Sequence, residues 1–350
     1  MGPVAALPPA PGLKPMRRNG VTLVEILVVV AILGVLMAVI LPGVQAARES
    51  VRRTSCGNNL RQIGIALANH EQARGRYPVG SESRKFPDYP KVTAQHCRWS
   101  ALAHLAPYYE ARDLLDGLDR SVPLYIDLKP DAIAPQNKPI VGRLVPLFLC
   151  PSDRQLAVSP IFGPTNYAGC AGSGTGGGTP YDTDGLFFIN SRTGARDVSD
   201  GLSHTIAFSE SLLGDSASTN RASVTPANAY RFIMSAPLSE AACAATAVWN
   251  FSDPRGFSWA NGEYRTTLYN HHYPPNTPTL DCMGVLMSPP VGQGDRLYAA
   301  FGWRAARSSH PSGVNVVMAD GRGAFVRDDV DPAVWRAAAT RAGSESARLD

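Results

Sequence analysis

The sequence has no Cys-x-x-Cys pair, which argues against a zinc ribbon or a thioredoxin-like redox site. It has no Gly-x-Ser-x-Gly elbow, so the exposed nucleophile of an α/β-hydrolase is missing. No basic stripe interleaved with aromatics occurs, and the net charge is only +4, so there is no nucleic-acid footprint. No internal repeat of roughly 20–50 residues is present, which excludes solenoids and propellers. Charge is sparse too: 18% of the 350 residues, on the low side for a soluble protein.

What is abundant is glycine and proline, 32 and 29 residues, which predicts a chain rich in turns. The dominant feature is an apolar run at 21–41, broken by one carboxylate, Glu25. At about 1.5 Å per residue it is roughly 31 Å long as a helix, close to the thickness of a bilayer's hydrocarbon core. Residues 1–20 carry only Lys14, Arg17 and Arg18 as charges, the composition of a targeting leader. Basic residues flank the run on both sides, so charge alone leaves its orientation open. Beyond Pro42, which could kink a helix, Val44, Ala47, Val51, Cys56, Leu60, Ile63, Leu67 and His70 recur at the helical period. This amphipathic extension is predicted to end near Gly75.

A carboxylate inside a spanning run costs a few kcal/mol unless it stays wet at the interface or is paired. A suitable partner for Glu25 is the free amine of a neighbouring processed chain, so the residue predicts assembly. Further on, 144–149, 186–189 and 205–208 read as short strands, and 215–230 and 270–280 as surface loops. Val314 to Met318, Asp320-Gly321 and Ala324 to Val326 read as a hairpin, and 332–339 as a last helix. One long helix followed by many short strands predicts an α+β fold, the helix packed on a mostly antiparallel sheet with long loops.

Six cysteines, an even count, suit disulfides if the C-terminal part is exported. The local pairs Cys150–Cys170 and Cys243–Cys282 are expected; buried free thiols are the alternative. Gly172-Ser173-Gly174-Thr175-Gly176-Gly177 matches a dinucleotide fingerprint by letter, but no βαβ unit surrounds it. Asp182, Asp184, Asp197 and Asp200 form an oxygen-rich set that could bind Ca²⁺, though turn formation explains aspartates beside Gly185 and Gly201 equally well. The adjacent His271 and His272 could join His204 or His310 on a metal, but histidines in a Pro-rich loop are more often solvated. His310 reads as a structural hydrogen-bonding residue. Trp249, Trp259, Trp303, Tyr264 and Tyr269 could line a binding site or fill the core.

Gly20-Val21-Thr22-Leu23-Val24-Glu25, the apolar run and Pro42 together resemble the N-terminus of type IV prepilins and type II secretion pseudopilins. That resemblance implies cleavage between Gly20 and Val21 by prepilin peptidase and methylation of the new terminus, where the family usually has Phe. It makes Glu25 the carboxylate that guides stacking with other pilin-like subunits. It also places the leader on the cytoplasmic side of the membrane and the head outside. The rest of the chain, roughly 50–345, resembles the DUF1559 domain found behind such N-termini in planctomycete-like bacteria. The resemblance is carried by Cys56-Gly57-Asn58-Asn59-Leu60-Arg61-Gln62-Ile63-Gly64, Cys150-Pro151-Ser152-Asp153, Asn166-Tyr167-Ala168-Gly169, Asp200-Gly201-Leu202-Ser203-His204-Thr205, and His310-Pro311-Ser312-Gly313 with Asp320-Gly321.

The expected organisation is a leader at 1–20, a transmembrane or assembly helix at 21–41, its amphipathic extension at 42–75 and an extracytoplasmic head at 76–350. The expected function is a non-enzymatic pilin-like subunit with no nucleic-acid partner and no cofactor beyond the Ca²⁺ option. It would be a single-pass protein of the cytoplasmic membrane, or part of a filament or the cell surface after assembly. The alternative is a membrane-tethered monomer that binds a solute or glycan.

Overall fold

A computed structural model describes residues 2, 22–94, 97–110, 115–127, 129, 131–215, 224–234, 238–251, 253–285, 300–344 and 349. It divides into two compact units, Met1–Arg48 and Glu49–Asp350.

Helix α1, Leu23–Arg74, has Pro42 inside it. Proline lacks an N–H, so the Ala38 carbonyl loses its usual helical donor there. The helix stops where the sequence predicts: Gly75 takes φ +65 and its N–H closes the last turn on the Glu71 carbonyl at 2.7 Å. From Glu49 onward one stripe is buried: Cys56, Leu60, Ile63, Gly64, Ala66, Leu67 and His70. Gly64 permits the closest approach, since a Cβ there would stand 2.6 Å from Val317 Cγ2 and 3.0 Å from Gly321 Cα.

Among the described residues there are two sheets. The larger has five strands in the order β4-β1-β2-β7-β8. These are β1 (Tyr167–Cys170), β2 (Ile206–Glu210), β4 (Leu268–Tyr269), β7 (Gly313–Met318) and β8 (Gly323–Arg327). Only β1 and β4 run parallel; the other neighbours are antiparallel. The predicted hairpin is β7–β8, in register at Val316 and Ala324, with Gly321 at φ +85 in its turn. The smaller sheet joins β3 (Tyr230–Ile233), β5 (Asp281–Val285) and β6 (Ala300–Trp303) in the order β3-β5-β6.

Strand side chains alternate between faces, and that period sorts the core of the large sheet. Tyr167, Phe208 and Val317 pack with the helix stripe; Ala168, Cys170, Ile206, Val316 and Met318 form a second cluster with Trp335. Trp335 comes from the terminal helix Pro332–Ala337, capped by Asp331.

Three readings need correction. Residues 144–149 are not a strand: Pro146–Phe148 is a 3₁₀ turn, because Pro146 lacks a ladder donor and suits the first turn of a helix. In 186–189 only Ile189 pairs, as an isolated bridge to Ser81. Residues 270–280 are not an open loop: Asn270, His271, Tyr273 and Thr277 are buried. Asn270 is held there by two bonds, its N–H to the Arg304 carbonyl and its Nδ2 to the Gly302 carbonyl.

Candidate functional site

Two places carry the chemistry singled out in the sequence. The first is the start of α1. Thr22 and Glu25 form a capping box: the Thr22 N–H and hydroxyl donate to Glu25 Oε2 at 2.8 and 2.9 Å, and the Glu25 N–H donates to Thr22 Oγ1 at 3.3 Å. Glu25 therefore has a local partner, and the Thr-x-x-Glu spacing was the signal for it. Gly20 and Val21 lie outside the described residues. Behind the cap, Leu23, Ile26, Leu33 and Ile40 are all more than half exposed. Among the described residues α1 is the one helix long and apolar enough to cross a membrane.

The second place lies in the larger unit, where four of the sequence motifs meet. Cys56, on the buried stripe of α1, is bonded to Cys150 with the Cα atoms 5.0 Å apart. His310 Nε2 stands 3.6 Å from Cys150 Sγ. The imidazole bridges two carboxylates, Nδ1 donating to Glu49 Oε1 at 2.7 Å and Nε2 to Glu210 Oε1 at 3.1 Å. Burial disfavours charge on His310, but the hydrogen bonds and charges of Glu210 and Glu49 outweigh it and raise its pKa. Glu210 Oε2 accepts the Asn315 N–H at 2.7 Å. Ser152 Oγ donates to Glu49 Oε1 at 3.1 Å.

The neighbouring motif residues support this corner. Asn166 Oδ1 accepts the Cys150 N–H, while its Nδ2 donates to Asp153 Oδ2 and the Ser211 carbonyl. Asn59 Nδ2 donates to the Leu149 carbonyl at 3.0 Å, and Tyr167 Oη to the Cys56 carbonyl at 3.2 Å. Sequence reading found Cys150 and His310 but missed Glu49 and Glu210. For Glu210 there was a usable signal, a carboxylate closing the apolar strand Ile206-Ala207-Phe208-Ser209-Glu210.

The expected pair Cys150–Cys170 is not formed: Cys150 bonds Cys56, and Cys170 is a buried free thiol, as is Cys97. The reason is the strand period. Cys170 faces the second cluster with Trp335, whereas Cys150 belongs to the cluster on the helix side. Cys243 and Cys282 are bonded to each other.

The four aspartates serve separate turns. Asp184 is enclosed by the glycine-rich loop, accepting the Ser173 N–H at 2.8 Å and the Ser173 hydroxyl. Asp197 accepts the Gly194 N–H at 2.7 Å; Asp200 accepts from Thr340 Oγ1, Gly343 N and Ser344 N. Asp182 sits at φ +47. No three of them gather as ligands among the described residues. Nor do His271 and His272 meet His204 or His310. His271 is buried and stacked on Trp335 at 3.5 Å, and that burial pushes its pKa down to about 3. His272 pairs with Glu240 at 2.9 Å.

Trp259, Tyr264, Tyr269 and Trp303 are buried in the core, and Trp249 is half-buried under Arg231. A second buried charge cluster lies apart from His310. Asp281 receives Arg255 Nη1 at 2.7 Å and Arg307 Nη2 at 2.9 Å, with both its oxygens inaccessible.

A long N-terminal helix with an exposed apolar first part, in a chain of α+β fold, defines the class of protein. The chain belongs to the family described as protein of unknown function (DUF1559), whose profile matches residues 45–333. The profile of the prokaryotic N-terminal methylation motif matches residues 15–41. No curated protein and no solved structure shows significant similarity to the chain.

Proposed function

We propose that the chain is a pilin-like structural subunit without enzymatic activity. Prepilin peptidase cuts after Gly20, the Val21 amine is methylated, and the head stands outside the cytoplasmic membrane. One observation carries this reading: the methylation-motif match at 15–41 covers the start of a helix whose apolar side chains are exposed along 23–41. Such a surface needs lipid or other helices around it. In an assembly, Glu25 would exchange its Thr22 partner for the Val21 amine of a neighbour, and helix–helix contact would replace lipid contact. The reading needs no cofactor.

Mass spectrometry of the mature N-terminus tests processing. A methylated terminus at Val21 is expected; an intact Met1 reduces the segment to a plain anchor. Cross-linking tests assembly, and a Glu25→Val chain that cross-links as well as the parent removes the pairing role.

A second reading, a tethered monomer that binds an extracytoplasmic solute or glycan, is favoured by one feature. A groove of about 760 Å³ beside the β7–β8 hairpin is lined by Arg53, Arg61, Arg322, Asn58, Asn69 and Phe325. Saturable ligand binding by the full chain without filaments would support it. Filaments containing the chain would support the first reading.

A further inference from the structure

The His310 corner holds more ligating atoms than a disulfide needs. Cys56 Sγ, Cys150 Sγ, a Glu210 carboxylate oxygen and a His310 ring nitrogen all lie within 4.8 Å of one another, and all four residues are buried. A tetrahedral Zn²⁺, with Zn–S about 2.3 Å and Zn–N or Zn–O about 2.0–2.1 Å, sets sulfur about 3.5 Å from nitrogen or oxygen and nitrogen about 3.3 Å from oxygen. The structure has Cys150 Sγ at 3.6 Å from His310 Nε2 and 3.9 Å from Glu210 Oε1, with Nε2 and Oε1 3.1 Å apart. Three edges of the tetrahedron therefore exist while the two sulfurs are still bonded.

The outer contacts are those a metal site uses. His310 Nδ1 is engaged by Glu49, which leaves Nε2 directed at Cys150 and Glu210. Glu210 is held by Asn315, whose N–H donates to Oε2 at 2.7 Å and whose Nδ2 donates to Oε1 at 3.0 Å, with Oε1 also facing His310 Nε2. A carboxylate behind the histidine and a donor behind the carboxylate orient ligands in this way.

We propose that this corner has two states: a Cys56–Cys150 disulfide when oxidised, and, when reduced, a closed Cys₂HisGlu site for a thiophilic divalent cation of the Zn²⁺ class. The steps balance. A dithiol reductant gives up two electrons and two protons, becomes a disulfide, and leaves two thiols on the chain. The cation then displaces three protons, one from each thiol and one from the His310 imidazolium. Two thiolates and one carboxylate supply three negative charges against the ion's two positive ones. With four protein ligands the site has no open position, so its work is structural or redox-sensing rather than catalytic.

The test uses the full chain in detergent, with Cys243→Ala and Cys282→Ala removing the second bond. A phosphine reduces Cys56–Cys150, water supplying the oxygen of the phosphine oxide, and Co²⁺ is the probe. One equivalent of Co²⁺ is expected to bind with thiolate charge-transfer and tetrahedral ligand-field bands, and Zn²⁺ should displace it. The unreduced chain should show neither band. His310→Asn should abolish tight binding, and Glu49→Gln, behind the histidine, should weaken it by about 10–100-fold. The proposal is overturned if the bands persist in Cys56→Ser/Cys150→Ser or appear equally without reduction. It is also overturned if His310→Asn binds like the parent, or if the reduced chain unfolds and Zn²⁺ does not restore it. Slowed alkylation of Cys56 and Cys150 by Zn²⁺, read by peptide mass, gives a second measure that does not depend on the variants.

Discussion

Two leucines of one helix show how differently the two units use apolar side chains. Leu33 is 52% exposed and Leu60 is 0% exposed. From Glu49 onward the helix stripe is matched by Tyr167, Phe208 and Val317 of the large sheet, so burial is completed by the chain's own residues. Along 23–41 no such partner is supplied among the described residues, and the apolar side chains stay exposed. Polar groups follow the same division. Glu25 is satisfied within one turn of its own helix, whereas Asp281 and His310 are satisfied by residues far away in sequence.

A charge placed in each region is the strongest way to break this comparison. Leu60→Asp should unfold the head, costing at least about 5 kcal/mol for an unpaired carboxylate in a closed core. Leu33→Asp should leave the head's denaturation midpoint unchanged and instead weaken membrane insertion by about 3 kcal/mol. Denaturant unfolding and membrane fractionation separate the two effects; a large loss of head stability in Leu33→Asp would contradict the division.

Removing a charge sharpens it. Burial raises the Asp281 pKa, but Arg307 and Arg255 outweigh that and hold the carboxyl below its usual range. Asp281→Asn strands two buried guanidinium groups and should destabilise the head by about 3–5 kcal/mol. Glu25→Gln should not move the head's midpoint at all.

Acid should act on the head through His271. Its folded pKa is depressed to about 3 by burial, against 6.5 when unfolded. The unfolded state therefore binds the extra proton between those values. Stability falls as pH drops through that window, by up to about 1.4 kcal/mol per pH unit. Thermal melts from pH 7 to 4 should show this slope, and His271→Asn should reduce it, the remainder coming from His70, whose pKa burial lowers to about 4.

The smallest expected effect is local. Thr22→Ala removes the hydroxyl half of the capping box and should cost about 1 kcal/mol of helix stability at the first turn. Faster amide exchange at residues 23–26, with no change in the head, is the predicted result.

What could be read from the sequence follows this same boundary. The apolar run, the end of α1 at Gly75 and the Asp320-Gly321 hairpin are set by neighbours within a few residues, so period and turn chemistry sufficed. The pairing of Cys150 was misread because nearness in sequence favoured Cys170, while the sheet turned Cys170 to its other face. His271 was misread because a Pro-rich loop looks solvated until Trp335 closes over it.

By itself the sequence determined a membrane-length apolar helix behind a prepilin-type motif, since length, hydropathy and capping are local properties of one stretch. Only the tertiary structure decided that Cys56 meets Cys150 across 94 residues and that His310 meets Glu49 across 261. Those contacts depend on which face of each strand and helix is turned inward. No local rule encodes that choice; the packing of α1 against the sheet makes it.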